Sequence, residues 1–316
     1  MKPFLKLIRW PNLVFIVITQ ALFNYAVVIP LFQQSGLRPN MGNIIFSVLC
    51  AASVLIAAAG YIINDYFDYN IDLINKPDKM VIGKNISRRQ AIILHFVLSA
   101  IGVVLSFIAS YKLGDRFFAI GITNLVCVLV LWFYSTTYKR RILIGNILIS
   151  LLSAWSVLLI YLAETPQWWQ ARHYAHTPQG FVLAKLFRLA AMYGGFAFII
   201  SLIREVVKDM EDVEGDRREG CRTMPIVWGI PASKIFAAVW TTVLIGSLLI
   251  TQFYVVQFGW WMFSGYIFIA VTVPLIYILK KLYAAQSTGD YSILSKQIKY
   301  LMLTGILSMA FFWWYF

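Results

Sequence analysis

Charge is what this sequence most lacks. Of its 316 residues 13% are charged and 60% are hydrophobic, whereas a soluble domain carries close to a quarter charged residues. A soluble globular chain is excluded on that balance. Cysteine is nearly absent as well. Cys50, Cys127 and Cys221 are widely spaced and two lie in apolar runs, so there is no disulfide framework and no zinc knuckle, only small buried hydrophobes. Histidine is equally rare. His173 and His176 form an HxxH pair, but with no carboxylate nearby it reads as part of a solvated external loop rather than a metal pair. No small-residue cleavage site follows the first apolar stretch, which is also too long for the core of a secretion signal. That stretch is expected to be a helix of the mature protein.

Long apolar runs are what the chain has in abundance. Reading them between polar breaks gives segments at about 12–32, 44–64, 91–110, 117–136, 143–163, 182–203, 233–254, 259–279 and 298–316. Each is close to the roughly 20 residues that cross a bilayer as a helix. Continuous Leu, Ile, Val and Phe with short connections argue against barrel strands. The expected fold class is therefore all-α integral membrane, with nine transmembrane helices in a single domain over 1–316.

Basic residues set the expected orientation. With the N-terminus inside, the cytoplasmic side collects Lys2, Lys6 and Arg9 ahead of the first run, the loop with Lys76 to Arg89, Lys139 to Arg141, Arg204 to Lys234, and Lys280 to Lys299. The other side holds Arg38, Lys112, Arg116, Arg172, Lys185 and Arg188. The N-terminus is expected in the cytoplasm and the C-terminus outside. The net charge of +13 then reflects this bias and attraction to membrane lipids with anionic headgroups, with no nucleic acid partner.

Two cytoplasmic stretches, about 65–90 and 204–232, are long and charged, and are expected to be ordered cap loops. In the first, Asn64, Asp68 and Asp72 recur every four residues, which places them on one helical face. Asp65 is one position off it. In the second, Glu205, Asp209, Asp212 and Asp216 also share a face. Asp65, Asp68, Asp72 and Asp209, Asp212, Asp216 have the same Asp-x-x-Asp-x-x-x-Asp spacing, at the ends of the second and sixth helices. Like carboxylates this close repel, so a cation must compensate them. Mg²⁺ suits carboxylate oxygens and bridges to substrate phosphates. Lys76, Lys79, Lys139, Arg140, Arg141, Arg204, Lys208 and Arg222 surround the acids and are candidates for phosphate oxygens. Acid, metal and base together describe a diphosphate site. A cation transporter is the competing class, but it would place its acids near the bilayer midplane rather than at helix ends.

These motifs, NDYFDYNID from Asn64 and DMEDVEGD from Asp209, resemble those of the UbiA superfamily of intramembrane prenyltransferases, and YSTTYKRR with the Gly-Asn ending at Asn146 resembles that family's connection between helices four and five. The resemblance covers essentially the whole chain. It implies nine helices around a central cavity, and within the family the stretches NDYFDYNIDLINKPDK and REVVKDMEDVEGDRREG are most similar to the archaeal-type digeranylgeranylglyceryl phosphate synthase branch. By this resemblance Asn64, Asp68 and Asp72 hold one Mg²⁺ and Asp212 and Asp216 a second, both bridging the diphosphate of a polyprenyl donor. Asp65 and Asp209 act behind them. Loss of diphosphate leaves an allylic cation, which aromatic faces stabilise, and Tyr66, Phe67, Tyr134, Tyr138 and Tyr193 are near the motif ends. Glu205 is the candidate to orient or deprotonate the acceptor. The acceptor is a lipid-type alcohol such as geranylgeranylglyceryl phosphate or, alternatively, an aromatic acid of the kind used in quinone biosynthesis. A phosphate-bearing acceptor needs a second anionic site, for which Arg88, Arg89, Arg217, Arg218 and Arg222 are the candidates. The setting implied is a prokaryotic cytoplasmic membrane.

Overall fold

A computed structural model describes residues 2–75, 77–165 and 176–316. The described chain is helical throughout, with no strand beyond an isolated bridge between Ile82 and Ile86. A short helix α1 (Lys2–Leu7) leads into α2 (Trp10–Gln34), α3 (Asn43–Phe67), α4 (Tyr69–Asn75), α5 (Arg88–Lys112), α6 (Ala119–Thr136), α7 (Ile144–Glu164), α8 (Pro178–Glu211), α9 (Val213–Arg218), α10 (Met224–Val227), α11 (Gly229–Val256), α12 (Trp261–Ala284) and α13 (Thr288–Leu307). Among the described residues 8 of these helices, α2, α3, α5, α6, α7, α8, α11 and α12, are long and apolar enough to cross a membrane. The ninth expected run is helical too, but α13 begins upstream and takes in Asp290, Lys296 and Lys299. Its composition falls short of the other eight.

The second cap was expected to begin at residue 204, yet α8 continues unbroken to Glu211. Charged residues drop out of an apolar count while remaining good helix formers, and Glu205 with Lys208 forms a supporting i,i+3 pair. The break comes only at Asp212.

The chain divides into two compact units, Met1–Tyr138 with Trp155–Met192, and Lys139–Ala154 with Tyr193–Phe316. In the first unit α3 is the central helix. Small residues let its neighbours approach closely, since lipid tails supply no hydrophobic force between helices and packing must do so. A β-carbon on Gly102 of α5 would lie 2.7 Å from Ile56, and one on Gly60 would lie 2.9 Å from Leu131 of α6. Buried polar groups are paired across the helices: the Gln20 amide donates to Ser53 Oγ at 3.0 Å, and the Trp155 indole to Asn124 at 3.1 Å. At the far end Glu164 accepts the backbone N–H groups of Asn40 and Met41 at 2.7 and 3.2 Å, clasping the loop after α2.

In the second unit Ser153 and Ser201 join α7 to α8 at 3.1 Å. Gln252 donates to Thr272 at 3.1 Å across α11 and α12. Tyr193 meets Ser308 at 2.9 Å. An aromatic cluster around Trp260, Phe263, Phe312 and Tyr315 closes one end, with Trp260 stacked on Tyr315 at 5.0 Å between centroids.

Candidate active site

The first acidic motif is built on a joint. Helix α3 stops at Phe67, Asp68 takes φ −83° and ψ 2°, and α4 starts at Tyr69. That backbone region is sparsely populated and recurs at reactive residues. Hydrogen bonding nonetheless runs through it, from the Asp68 N–H to Asn64 at 2.9 Å and from the Asp72 N–H to Asp68 at 2.8 Å. Asn64, Asp68 and Asp72 therefore keep helical register across the bend. The Asn64 amide donates to Asp68 Oδ2 at 2.7 Å. This leaves Asn64 Oδ1 shielded from solvent and without a hydrogen-bond partner. A buried carbonyl oxygen in that state costs free energy unless something electropositive reaches it.

Asp65 points elsewhere, to Arg9, with Nη2 to Oδ1 at 2.6 Å. Arg9 also lies over the Tyr61 ring at 5.3 Å and takes the left-handed φ of 49° at the start of α2. Of the two lysines expected here, Lys79 belongs to the turn Pro77–Lys79, and Lys76 lies outside the described residues. Lys84 and Lys6 cap that turn through the carbonyls of Pro77 and Asp78.

The second motif repeats the local design within its own unit. Helix α8 ends at Glu211, Asp212 takes φ −96° and ψ 6°, and α9 begins at Val213. The Asp212 N–H bonds Lys208 at 2.9 Å and the Asp216 N–H bonds Asp212 at 3.2 Å. Asp216 is buried. Asp209 accepts from the Asn146 amide at 2.8 Å, which places Asn146 behind the motif rather than in the open. Glu205 is engaged at both oxygens, by Arg204 at 3.2 Å and by Lys208 at 3.3 Å. The Arg204 Nε, in turn, is a buried donor with no partner.

Tyr134 stands in the last turn of α6, and Lys139 and Arg140 in the turn Tyr138–Arg140 that follows. The Arg222 N–H donates to the Arg140 carbonyl at 2.8 Å, tying that turn to the segment after the second motif. Between the two, burial pushes the Cys221 thiol pKa up, and Asp216 adds to the effect. Arg218 is taken by Glu214, one turn away. His176 is exposed and its expected HxxH partner His173 lies outside the described residues.

Among the described residues no three His, Cys, Asp or Glu side chains converge as a self-sufficient metal cage. The sites suit a hard cation that keeps water and phosphate oxygens in its shell, for which one or two carboxylates per motif suffice. Asn64 Oδ1 is the atom that fits such an ion best. Sequence reasoning missed Arg9, which had counted only toward orientation. A cation directly ahead of the first span, where the helix dipole disfavours it, was the available signal for a fixed acidic partner.

An all-helical, multi-pass membrane protein with two Asp-rich joints at the ends of its second and sixth spans has the plan of an intramembrane prenyltransferase. The chain belongs to the UbiA prenyltransferase family, whose profile matches residues 21–313. It is 32% identical over 315 residues to the digeranylgeranylglyceryl phosphate synthase of Methanothermobacter thermautotrophicus, covering 98% of this chain and 95% of that one. Its fold is shared with an apo UbiA homolog from Aeropyrum pernix K1, at a TM-score of 0.64 and 15% identity over 92% of this chain and 96% of that one. A UbiA homolog from Archaeoglobus fulgidus bound to GPP and Mg²⁺ matches at a TM-score of 0.53 and 13% identity, over 98% and 99% of the two chains.

Proposed function

We propose that this prenyltransferase moves a geranylgeranyl group from its diphosphate to the alcohol of geranylgeranylglyceryl phosphate, at the cytoplasmic face of the membrane. Similarity to a relative of that name over nearly the full length supports the acceptor, and the Archaeoglobus homolog with GPP and Mg²⁺ supports the donor and the cation. The observation that carries the reading is the unpartnered Asn64 Oδ1 beside Asp68 at a joint whose backbone is repeated at Asp212.

In this reading Asn64, Asp68 and Asp72 hold one Mg²⁺, and Asp212 and Asp216 hold the other. When bound, the ions supply charge neutralisation for the departing diphosphate. The residues of the chain do the rest. The joints fix the carboxylates before substrate arrives, so little reorganisation is left for the reaction. Arg9 restrains Asp65 and Asn146 restrains Asp209, keeping both behind their motifs. Glu205 positions Arg204 and Lys208 toward phosphate oxygens, a role that its two ion pairs support. Lys76, Lys79, Lys139, Arg140 and Arg222 add positive charge for the leaving group. Apolar helix walls keep water from the allylic cation, and Tyr134 offers it an aromatic face.

The test offers a membrane fraction geranylgeranyl diphosphate with either geranylgeranylglyceryl phosphate or an aromatic acid, with and without Mg²⁺, and reads product mass. The expected product is the doubly geranylgeranylated glyceryl phosphate, formed only with Mg²⁺. Product from the aromatic acid alone would reject the acceptor, and absence of diphosphate release with either would reject the reaction.

A further inference from the structure

Arg88 has no part in the chemistry outlined above, yet it is held with unusual care. It is the first residue of α5, and its guanidinium carbon lies 4.7 Å from the centre of the Tyr66 ring and 5.6 Å from that of Tyr69. Both distances are within cation–π range. The two tyrosines bracket Asp68 in the chain, so the cation is fastened to the first motif itself.

The platform is in turn fixed from behind. A β-carbon on Gly83 would lie 2.8 Å from Tyr69 Cε2, and Gly83 has the left-handed φ of 85°. The Gly83 N–H closes the turn onto Ile86 at 2.8 Å. Tyr66 meets Phe67 edge-on at 5.1 Å. A reciprocal capping box between Ser87 and Gln90 sets where α5 begins, and hence where Arg88 projects.

A guanidinium carries five N–H donors, and a cation held over ring faces needs none of them for that contact. Arg88 is exposed and makes no hydrogen bond or ion pair with a described residue. Arg9 and Arg218, by contrast, are committed to Asp65 and Glu214. A long side chain ordinarily loses much freedom on binding. One pinned in advance loses less, which favours affinity.

We infer that Arg88, on its Tyr66–Tyr69 platform, binds the phosphomonoester of the acceptor lipid. The assignment rests on the proposed reaction, which requires an anionic site beyond the one for the donor diphosphate. A phosphomonoester presents paired oxygens that match the guanidinium fork. Its headgroup can approach an exposed arginine from water while its prenyl tail remains in the membrane. The donor diphosphate has similar oxygens, so the experiment must separate the two substrates.

Steady-state KM is measured for geranylgeranylglyceryl phosphate and for geranylgeranyl diphosphate in the full-length protein with Mg²⁺, comparing wild type with Arg88→Gln, Arg88→Lys and the double variant Tyr66→Leu/Tyr69→Leu. Arg88→Gln is expected to raise the acceptor KM about tenfold or more, the loss of a charge-assisted hydrogen bond, with the donor KM within about twofold. Arg88→Lys should fall between, as a point charge without the fork. The double leucine variant should follow Arg88→Gln, because the platform acts through its rings. A rise in donor KM instead, or no change in either, overturns the assignment. The unchanged donor KM also guards against misfolding. Should wild type fail to use the phosphate acceptor at all, the proposed reaction falls by itself. Equilibrium binding of geranylgeranylglyceryl phosphate to wild type and Arg88→Gln then decides the site: weaker binding by the variant supports it and equal binding overturns it.

Discussion

Removing the partner of Asp65 tests whether that carboxylate is structural or holds metal. Arg9 and Asp65 meet at 2.6 Å, where unit charges in an effective dielectric of about 20 attract by roughly 6 kcal/mol before any cost is subtracted. The side chains are 37% and 20% exposed. Desolvation, lost side-chain freedom and screening at such a half-buried position leave a net coupling of about 1 kcal/mol. A double-mutant cycle of Arg9→Gln and Asp65→Asn, read by thermal unfolding in detergent and by turnover, is therefore expected to give a coupling near about 1 kcal/mol. Each variant should keep measurable activity, within about 10- to 100-fold of wild type, as expected for a group that supports a site from behind. Additive effects, or an Asp65→Asn variant as inactive as Asp68→Asn, would refute the assignment.

Further outcomes follow from the same structure. Asp68→Asn and Asp212→Asn, tested singly, should each lower prenyl transfer by more than about 100-fold, with unfolding temperature little changed; a variant at either joint with full activity would overturn the two-motif reading. Gly83→Ala should cost about 1–2 kcal/mol from the left-handed backbone alone, with more from the contact 2.8 Å from Tyr69, seen as a lower unfolding temperature. Asp290 has its pKa lowered to about 2 by the backbone N–H groups of Gln286 and Ser287 and by the Ser287 side chain. Its cap thus stabilises α13 fully above about pH 4, the ordinary carboxylate value, and loses that contribution as pH falls toward about 2. Unfolding temperatures of wild type and Asp290→Asn should differ above that window and converge below it.

The spans were legible because apolar runs are a one-dimensional signal, and the two motifs because their spacing is helical. What escaped was whatever depends on a distant partner. The end of α8 was placed at residue 203 because Arg204, Glu205 and Lys208 are charged, although the backbone bonds that carry a helix onward take no account of charge. The bends at Asp68 and Asp212 leave no trace in the spacing, since the hydrogen-bond register passes through them. Asp65 and Asp209 could be named as supports, but neither Arg9, 56 positions away, nor Asn146, 63 positions away, was identifiable as the partner. Arg88 had been one of five arginines considered for a phosphate, and only the rings of Tyr66 and Tyr69 single it out.

The joints at Asp68 and Asp212 also bear on how such a chain can diverge. Because one continuous ladder of i to i+4 bonds carries Asn64, Asp68 and Asp72 through the bend, adding or deleting a single residue between them would turn the last carboxylate by about 100°. The same holds from Lys208 through Asp216. These stretches can exchange side chains over evolutionary time, but they cannot change length, so insertions and deletions among descendants of this sequence must fall elsewhere.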